Sequence, residues 1–131
     1  MLRIQQSVVR DIMDHVKRDA PIEACGYLAE KDGIVIRHYE LTNMDASEVH
    51  FTMNPVEQFA AVRRMRAVGC KLRAVYHSHP STPARPSKED VRLAYDVDLS
   101  YVIVSLLDNN IKAFKVNNTE LEKEEIAIID N

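Results

Sequence analysis

Two histidines, a serine and an aspartate lie close together in this chain, at positions 77, 79, 87 and 90. If residues 74–79 form a strand, the side chains of His77 and His79 share one face, about 6.6 Å apart at Cα. A carboxylate from Asp90 would complete a His2Asp ligand set and leave the fourth tetrahedral position of a zinc ion open to water. That arrangement is typical of catalytic zinc sites, so the pattern predicts a zinc hydrolase.

The same residues also have a simpler interpretation. Ser87, followed three residues later by acidic Asp90, has the pattern of a helix N-terminus, and a His-x-His pair at a strand end is often only solvated or hydrogen-bonded. The prolines favour the metal site. Pro80 ends the strand directly after His79, and Pro86 holds Ser87 in the extended region where helix caps begin. The loop is therefore predicted to return Asp90 towards the histidines.

In this order, the residues resemble the His-x-His-Pro-x6-Ser-x-x-Asp signature of the JAMM (MPN+) metalloproteases, with His77, His79, Ser87 and Asp90 at its fixed positions. That family also carries an upstream glutamate on a strand, and Glu23 stands at the corresponding place. The complete motif is therefore present, and the resemblance covers most of the chain.

The resemblance implies a role for each residue of the motif. His77, His79 and Asp90 would bind one Zn²⁺ ion, which lowers the pKa of a bound water towards roughly 7. Glu23 would accept the proton of that water and later deliver one to the departing amine. Ser87 would donate a hydrogen bond to the developing oxyanion. Without the resemblance, Glu23 would be interpreted as a solvated residue at the start of a strand.

The resemblance also implies a partner and a reaction. JAMM proteins cleave bonds at the C-terminus of ubiquitin-like proteins, and small forms with a Glu-x-Cys-Gly sequence are associated with sulfur carriers that end in Gly-Gly. We therefore expect a peptidase or isopeptidase that cleaves after this Gly-Gly, with the carrier tail paired by main-chain hydrogen bonds along an exposed strand. The alternative is a non-catalytic MPN scaffold for protein assembly, although such members typically lack motif residues. Zinc nucleobase deamination is a poorer alternative, because its cysteine ligand pattern is missing.

Composition agrees with a small cytoplasmic enzyme. The 131 residues are predicted to form a single domain, residues 1–131. A net charge of -3 gives no reason to expect nucleic acid, no apolar run is long enough to span a membrane, and the N-terminus lacks an apolar signal core. Cys25 and Cys70, without a secretory segment, fit a reducing compartment. The oligomeric state stays open, and a homo-oligomer is one of the alternatives.

The rest of the sequence predicts the elements that position the motif. Three segments have the apolar spacing of helices: residues 5–19, 55–68 and 87–95. Seven segments have the composition of strands: residues 24–30, 34–41, 49–53, 72–77, 100–106, 111–116 and 125–129. The charged stretches 63–73 and 120–130 are interpreted as solvated surface. Together these predict an α+β fold, a mixed sheet flanked by helices, and the resemblance implies the JAMM/MPN, cytidine-deaminase-like architecture.

Overall fold

The computed structural model describes every residue from Met1 to Asn131. In chain order its elements are β1 (Leu2–Gln5), α1 (Gln6–Asp19), β2 (Cys25–Lys31), β3 (Ile34–Leu41), α2 (Pro55–Ala67), β4 (Lys71–His79), α3 (Lys88–Leu93), β5 (Ser100–Ser105), β6 (Asn110–Asn117), β7 (Glu120–Glu124) and β8 (Ile126–Ile129). None of the helices has the length and apolar character needed to cross a lipid bilayer.

All the strands join one mixed sheet in the order β7-β6-β5-β4-β2-β3-β1-β8. The strand that carries the two histidines, β4, lies inside the sheet, antiparallel to β2 and parallel to β5. Because strand side chains alternate between faces, β4 presents one row of residues to α1 and the other to α2. The predicted α+β fold, a mixed sheet flanked by helices, is confirmed.

Helix α1 covers one face of the sheet. Its apolar residues recur at the helical spacing of four, and Val8, Ile12 and Val16 are buried in the same cluster as Tyr76 of β4. The ring of Tyr76 lies where a side chain on the neighbouring strand would be, because a Cβ placed on Gly26 would approach that ring to 2.5 Å. The glycine is therefore required by close packing between β2 and β4.

Helix α2 covers the opposite face, on which the histidines also lie. Pro55 occupies the first turn, as predicted, and the side chain of Asn54 caps the helix by accepting from the Val56 amide at 2.8 Å. Ala61 and Met65 pack against apolar residues of β2. His77 and His79 consequently lie on the α2 side of a sheet whose other side is a continuous apolar core.

Two sequence-based predictions about strands are wrong. Residues 49–53 form no strand, since only an isolated bridge joins Asn43 to Met53, and side-chain hydrogen bonds from Asn43 hold this segment as a loop. Gln5, the first residue of the predicted helix 5–19, instead ends β1, a strand that was not predicted and that pairs with β3 and β8. Over so few residues the alternation of Leu2 and Ile4 coincides with the start of a helical pattern.

Most charged residues of the stretches 63–73 and 120–130 are exposed, as predicted, but Arg73 and Glu124 are not. The segment 120–124 is the edge strand β7, and the buried carboxylate of Glu124 accepts from Arg73 Nη2 at 3.1 Å and from the hydroxyl of Ser100. Arg73 Nε also lies 3.3 Å from a carboxylate oxygen of Glu30. Opposite charges on strands far apart in sequence thus neutralise one another, which a count of charges along the chain does not reveal.

Candidate metal centre

The carboxyl end of β4 brings the two predicted histidine ligands together. His77 and His79 are both buried, and their Nε2 atoms lie 3.2 Å apart. The Nδ1–H of His79 donates to the carbonyl oxygen of Pro83 at 2.9 Å, so Nε2 is the nitrogen that would be available to a metal. The predicted convergence of the two imidazoles on one face of the strand is therefore present in the structure.

The first turn of α3 supplies the carboxylate. Asp90 Oδ1 lies 3.2 Å from His77 Nε2, and Asp90 Oδ2 lies 3.0 Å from His79 Nε2. Burial alone would raise the pKa of Asp90. The hydrogen bonds with the two imidazoles have the larger combined effect, and they hold the pKa of this carboxyl well below its usual range. Asp90 is thus a carboxylate, the form that binds a metal.

Helix capping and carboxylate positioning are two results of one arrangement. The Ser87 amide donates to Asp90 Oδ2 at 2.9 Å, and the Asp90 amide donates to Ser87 Oγ at 3.0 Å. This is a capping box at the start of α3. The simple capping interpretation of these residues is therefore correct, and it is also the reason that the carboxylate is turned towards the histidines.

The three side chains have the spacing that a metal ion needs. Tetrahedral zinc with bonds of about 2.0–2.1 Å holds neighbouring ligand atoms roughly 3.3 Å apart. The two Nε2 atoms are 3.2 Å apart, and one ligand atom from each of His77, His79 and Asp90 can be chosen so that all lie within 4.8 Å of one another, a spacing that one ion could bridge. This is also the one group of side chains in the chain whose atoms could hold a metal.

Glu23 lies buried beside this cluster. Its side chain is 5% exposed, and its Oε1 atom has no hydrogen-bond partner. Burial raises the pKa of Glu23 to about 7, the charge of His79 opposes this effect, and the charge of Asp90 adds to it. A buried carboxyl oxygen without a partner is rare, and it indicates a group that meets a proton, a water or a ligand outside the protein's own contacts.

Two residues that the sequence-based reasoning missed also build the site. Ser78, treated only as the spacer between the histidines, is fully buried, and its Oγ accepts from the Ala24 amide at 2.8 Å. The Ser78 amide donates to the Ala24 carbonyl at 2.9 Å, so the residue next to Glu23 is tied to β4. The ring of Phe51 stacks on His77, with centroids 4.7 Å apart. The available signal was a polar residue on the core face of a strand.

An open cleft of about 600 Å³ begins at the metal centre, with His77 and Asp90 in its wall. Its other walls are mainly apolar and aromatic, including Tyr27, Phe51 and Tyr101. A second cavity of about 590 Å³ lies on the α1 side and is lined largely by charged and polar residues. The apolar cleft is the one that can deliver a substrate to the metal ligands.

Comparison with known proteins agrees with this geometry. Residues 5–118 match the family described as prokaryotic homologs of the JAB domain. The chain is 31% identical to the CysO-cysteine peptidase of Mycobacterium tuberculosis, over 99% of this chain and 92% of that protein. It resembles the solution structure of protein DSY2949 from Desulfitobacterium hafniense with a TM-score of 0.91 and 40% identity, over 100% of this chain and 94% of the other.

The fold extends to more distant proteins. A JAB1/MPN domain protein from Archaeoglobus fulgidus has a TM-score of 0.70 at 22% identity, over 98% of this chain and 97% of the other, and this likeness shows the fold alone. The family match spans most of the chain, and the curated relative that aligns over nearly its whole length is a peptidase. This chain therefore belongs to the prokaryotic JAB family, within the JAMM class, and is a hydrolase.

Proposed function

We propose that this protein is a zinc-dependent peptidase that cleaves the bond after the C-terminal Gly-Gly of a ubiquitin-like sulfur carrier. The observation that carries the proposal is the buried, unpartnered carboxyl oxygen of Glu23 beside a His2Asp ligand set at the end of an apolar cleft. The name of the mycobacterial relative supports the substrate class, since that protein acts on a cysteine attached to CysO.

The chain's own residues would divide the chemistry among them. His77, His79 and Asp90 would hold zinc, which when bound supplies an acidified water and polarises the scissile carbonyl. Glu23 would accept the proton of the attacking water, and its pKa of about 7 allows it to take up and release a proton near neutral pH. The same carboxyl would then deliver that proton to the departing amine, which leaves poorly as an anion.

Ser87 would stabilise the negative charge that develops on the carbonyl oxygen. Its Oγ accepts the Asp90 amide within the capping box, and this leaves the hydroxyl proton free to donate. Ser87 is exposed at the start of α3, where a substrate carbonyl can approach it. A single donor of this kind typically contributes about 10²–10³ in turnover.

The carrier tail would bind to the loop segments that line the cleft, not to the edge of a strand. The strands around the site, β2, β4 and β5, are each paired on both sides, and the free edges belong to β7 and β8. The tail would therefore lie against the walls of the cleft, between residues 51–53 and residues 93–96, rather than extend the sheet as predicted from the sequence. A tail of two glycines suits such a passage, because it brings backbone to the metal without side chains.

The test is intact-mass analysis of a Gly-Gly carrier bearing a C-terminal cysteine, incubated with the zinc-loaded protein. We expect the carrier to lose the cysteine, the Glu23→Gln variant to keep zinc but lose at least about 10² in rate, and Ser87→Ala to lose about 10²–10³. Glu48→Gln, which neutralises an exposed carboxylate in a nearby loop, is the matched control and should retain wild-type turnover.

Two results would contradict the proposal at different points. Normal turnover by Glu23→Gln would refute the role of Glu23 as the base, but it would leave the proposed cleavage reaction intact. A zinc-loaded wild-type protein that cleaves no Gly-Gly carrier would refute the substrate class and favour the alternative of a scaffold for protein assembly. Such a scaffold has no chemical need for an unpartnered buried carboxyl beside three metal-ligand side chains.

A further inference from the structure

The loop between β3 and α2 holds Glu23 in place, and one side chain organises that loop. We propose that Asn43 is a positioning residue, whose amide fixes the backbone of Glu23 and so sets the carboxylate against the metal centre. The inference rests on the role proposed above for Glu23. It adds a residue that lies outside the motif and holds none of the ligand atoms.

The hydrogen bonds of Asn43 use its whole amide. Its Nδ2 donates to the carbonyl oxygens of Glu23 at 3.0 Å and His50 at 2.9 Å. Its Oδ1 accepts from the amides of Asp45 and Thr52, each at 3.2 Å. Both hydrogens and both lone pairs therefore have partners, and every partner belongs either to the loop or to Glu23.

Glu23 depends on this loop because it precedes the sheet. β2 begins at Cys25, so the polar backbone groups of Glu23 have no ladder partner. Instead, the Glu23 amide donates to the Ser47 carbonyl at 2.8 Å, and the Glu23 carbonyl accepts from Asn43. Both backbone groups of the proposed base thus bond to one loop, and that loop is held together by the Asn43 side chain.

The same loop reaches the metal ligands from the other side. Phe51, which stacks on the His77 ring, directly precedes Thr52, whose amide donates to Asn43 Oδ1. The Asn43 side chain therefore connects the backbone of Glu23 with the loop segment whose Phe51 ring packs on His77. Because a displacement of about 1 Å in a reacting group can cost roughly 10² in rate, this bridge would influence turnover without touching the substrate.

A role limited to loop folding makes different predictions, and an isosteric variant separates the two. Asn43→Asp keeps the shape of the side chain and the acceptor for the Asp45 and Thr52 amides, but it places an oxygen opposite the carbonyls of Glu23 and His50. The matched control is Thr42→Val, which removes the hydrogen bond from Thr42 Oγ1 to Glu57 at 2.9 Å in the same loop and leaves Glu23 untouched.

The first measurement is amide hydrogen exchange by NMR on the metal-free protein, which is independent of activity. In Asn43→Asp we expect the Glu23 amide to exchange about 10- to 100-fold faster than in wild type, since a partly buried backbone group loses its support. The Thr52 amide should keep its protection, and Thr42→Val should leave Glu23 unchanged. If Asn43→Asp does not fold, Asn43→Ala serves in its place, with loss of protection expected at Thr52 as well.

The second measurement is steady-state cleavage of the Gly-Gly carrier. We expect Asn43→Asp to lower kcat by about 10- to 100-fold, with KM and the zinc dissociation constant within about twofold of wild type. In a Glu23→Gln background the same change should cause no further loss, because the base through which it acts is already absent. Thr42→Val should behave as wild type.

The outcomes separate this inference from the proposed function. If wild type cleaves the carrier and Asn43→Asp retains its kcat, or if the loss is equally large in the Glu23→Gln background, the positioning role is overturned and the peptidase assignment stands. If wild type cleaves no carrier, the proposed function fails. Unchanged exchange of the Glu23 amide in Asn43→Asp would then refute the positioning role on its own.

Discussion

Replacing Glu23 with Gln should change how the stability of the metal-free protein depends on pH. The pKa of Glu23 in the folded protein is about 7, raised from its ordinary 4.5 chiefly by burial. Between these two pH values the folded protein retains a proton that the unfolded chain has released, so the free energy of unfolding falls as pH rises. The slope for one proton is at most about 1.36 kcal/mol per pH unit, which gives a loss of at most about 3.4 kcal/mol across the interval.

The glutamine side chain does not titrate, so the variant escapes this loss. Urea unfolding in EDTA at pH 5 and pH 8 measures the effect, as the difference in unfolding free energy between Glu23→Gln and wild type. This difference should grow by about 2–3 kcal/mol from the lower to the higher pH, because most of the titration interval lies between them. The comparison cancels the contributions of groups that titrate alike in both proteins.

Glu48→Gln supplies the control, since it removes one carboxylate from an exposed loop position and leaves Glu23 in place. A difference between Glu23→Gln and wild type that stays within about 0.5 kcal/mol at both pH values would refute the reasoning. It would mean that the ionised Glu23 carboxylate finds solvent or a partner in the folded protein.

Two further predictions concern the metal and the sheet. Adding Zn²⁺ at about a thousand times its dissociation constant should raise the free energy of unfolding by about 4 kcal/mol, with reversal by EDTA and no effect in His79→Ala; an equal effect in that variant would place the ion elsewhere. Gly26→Ala should destabilise the protein by about 1–3 kcal/mol in urea unfolding, because its Cβ would meet the Tyr76 ring at 2.5 Å, and an unchanged midpoint would contradict this packing.

The ligand set could be predicted from the sequence because its geometry follows from local rules. Strand alternation places His77 and His79 on one face, and the capping pattern of Ser87 and Asp90 turns the carboxylate towards them. Each rule involves residues only a few positions apart, so the pattern can be recognised from the spacing of residues in the sequence. The position of Glu23 followed from the family resemblance rather than from any local rule.

The supporting residues could not be predicted in this way. Asn43, Phe51 and Ser78 contact Glu23, His77 and Ala24, which lie between 20 and 54 positions away, and nothing in their immediate neighbours marks those contacts. The strand β7 was missed for a related reason, since the buried Glu124 at its end is neutralised by Arg73, which comes from β4 and is distant in sequence. The burial and the contacts of such residues depend on partners that are distant in sequence, and a pattern along the chain does not reveal those partners.

As a metal ligand, Asp90 would link metal binding to the folding of a short helix. Its Oδ2 remains in the capping box with the Ser87 amide, while its Oδ1 faces His77. A carboxylate shared between a cap and an ion links two equilibria, and such linkage is reciprocal. If an ion bound to Asp90 stabilises the first turn of α3 by some factor, the folded turn raises the affinity for that ion by the same factor. Because α3 has no fully buried residue, substitutions at its solvent-facing positions, which never touch the ion, would be able to change that affinity.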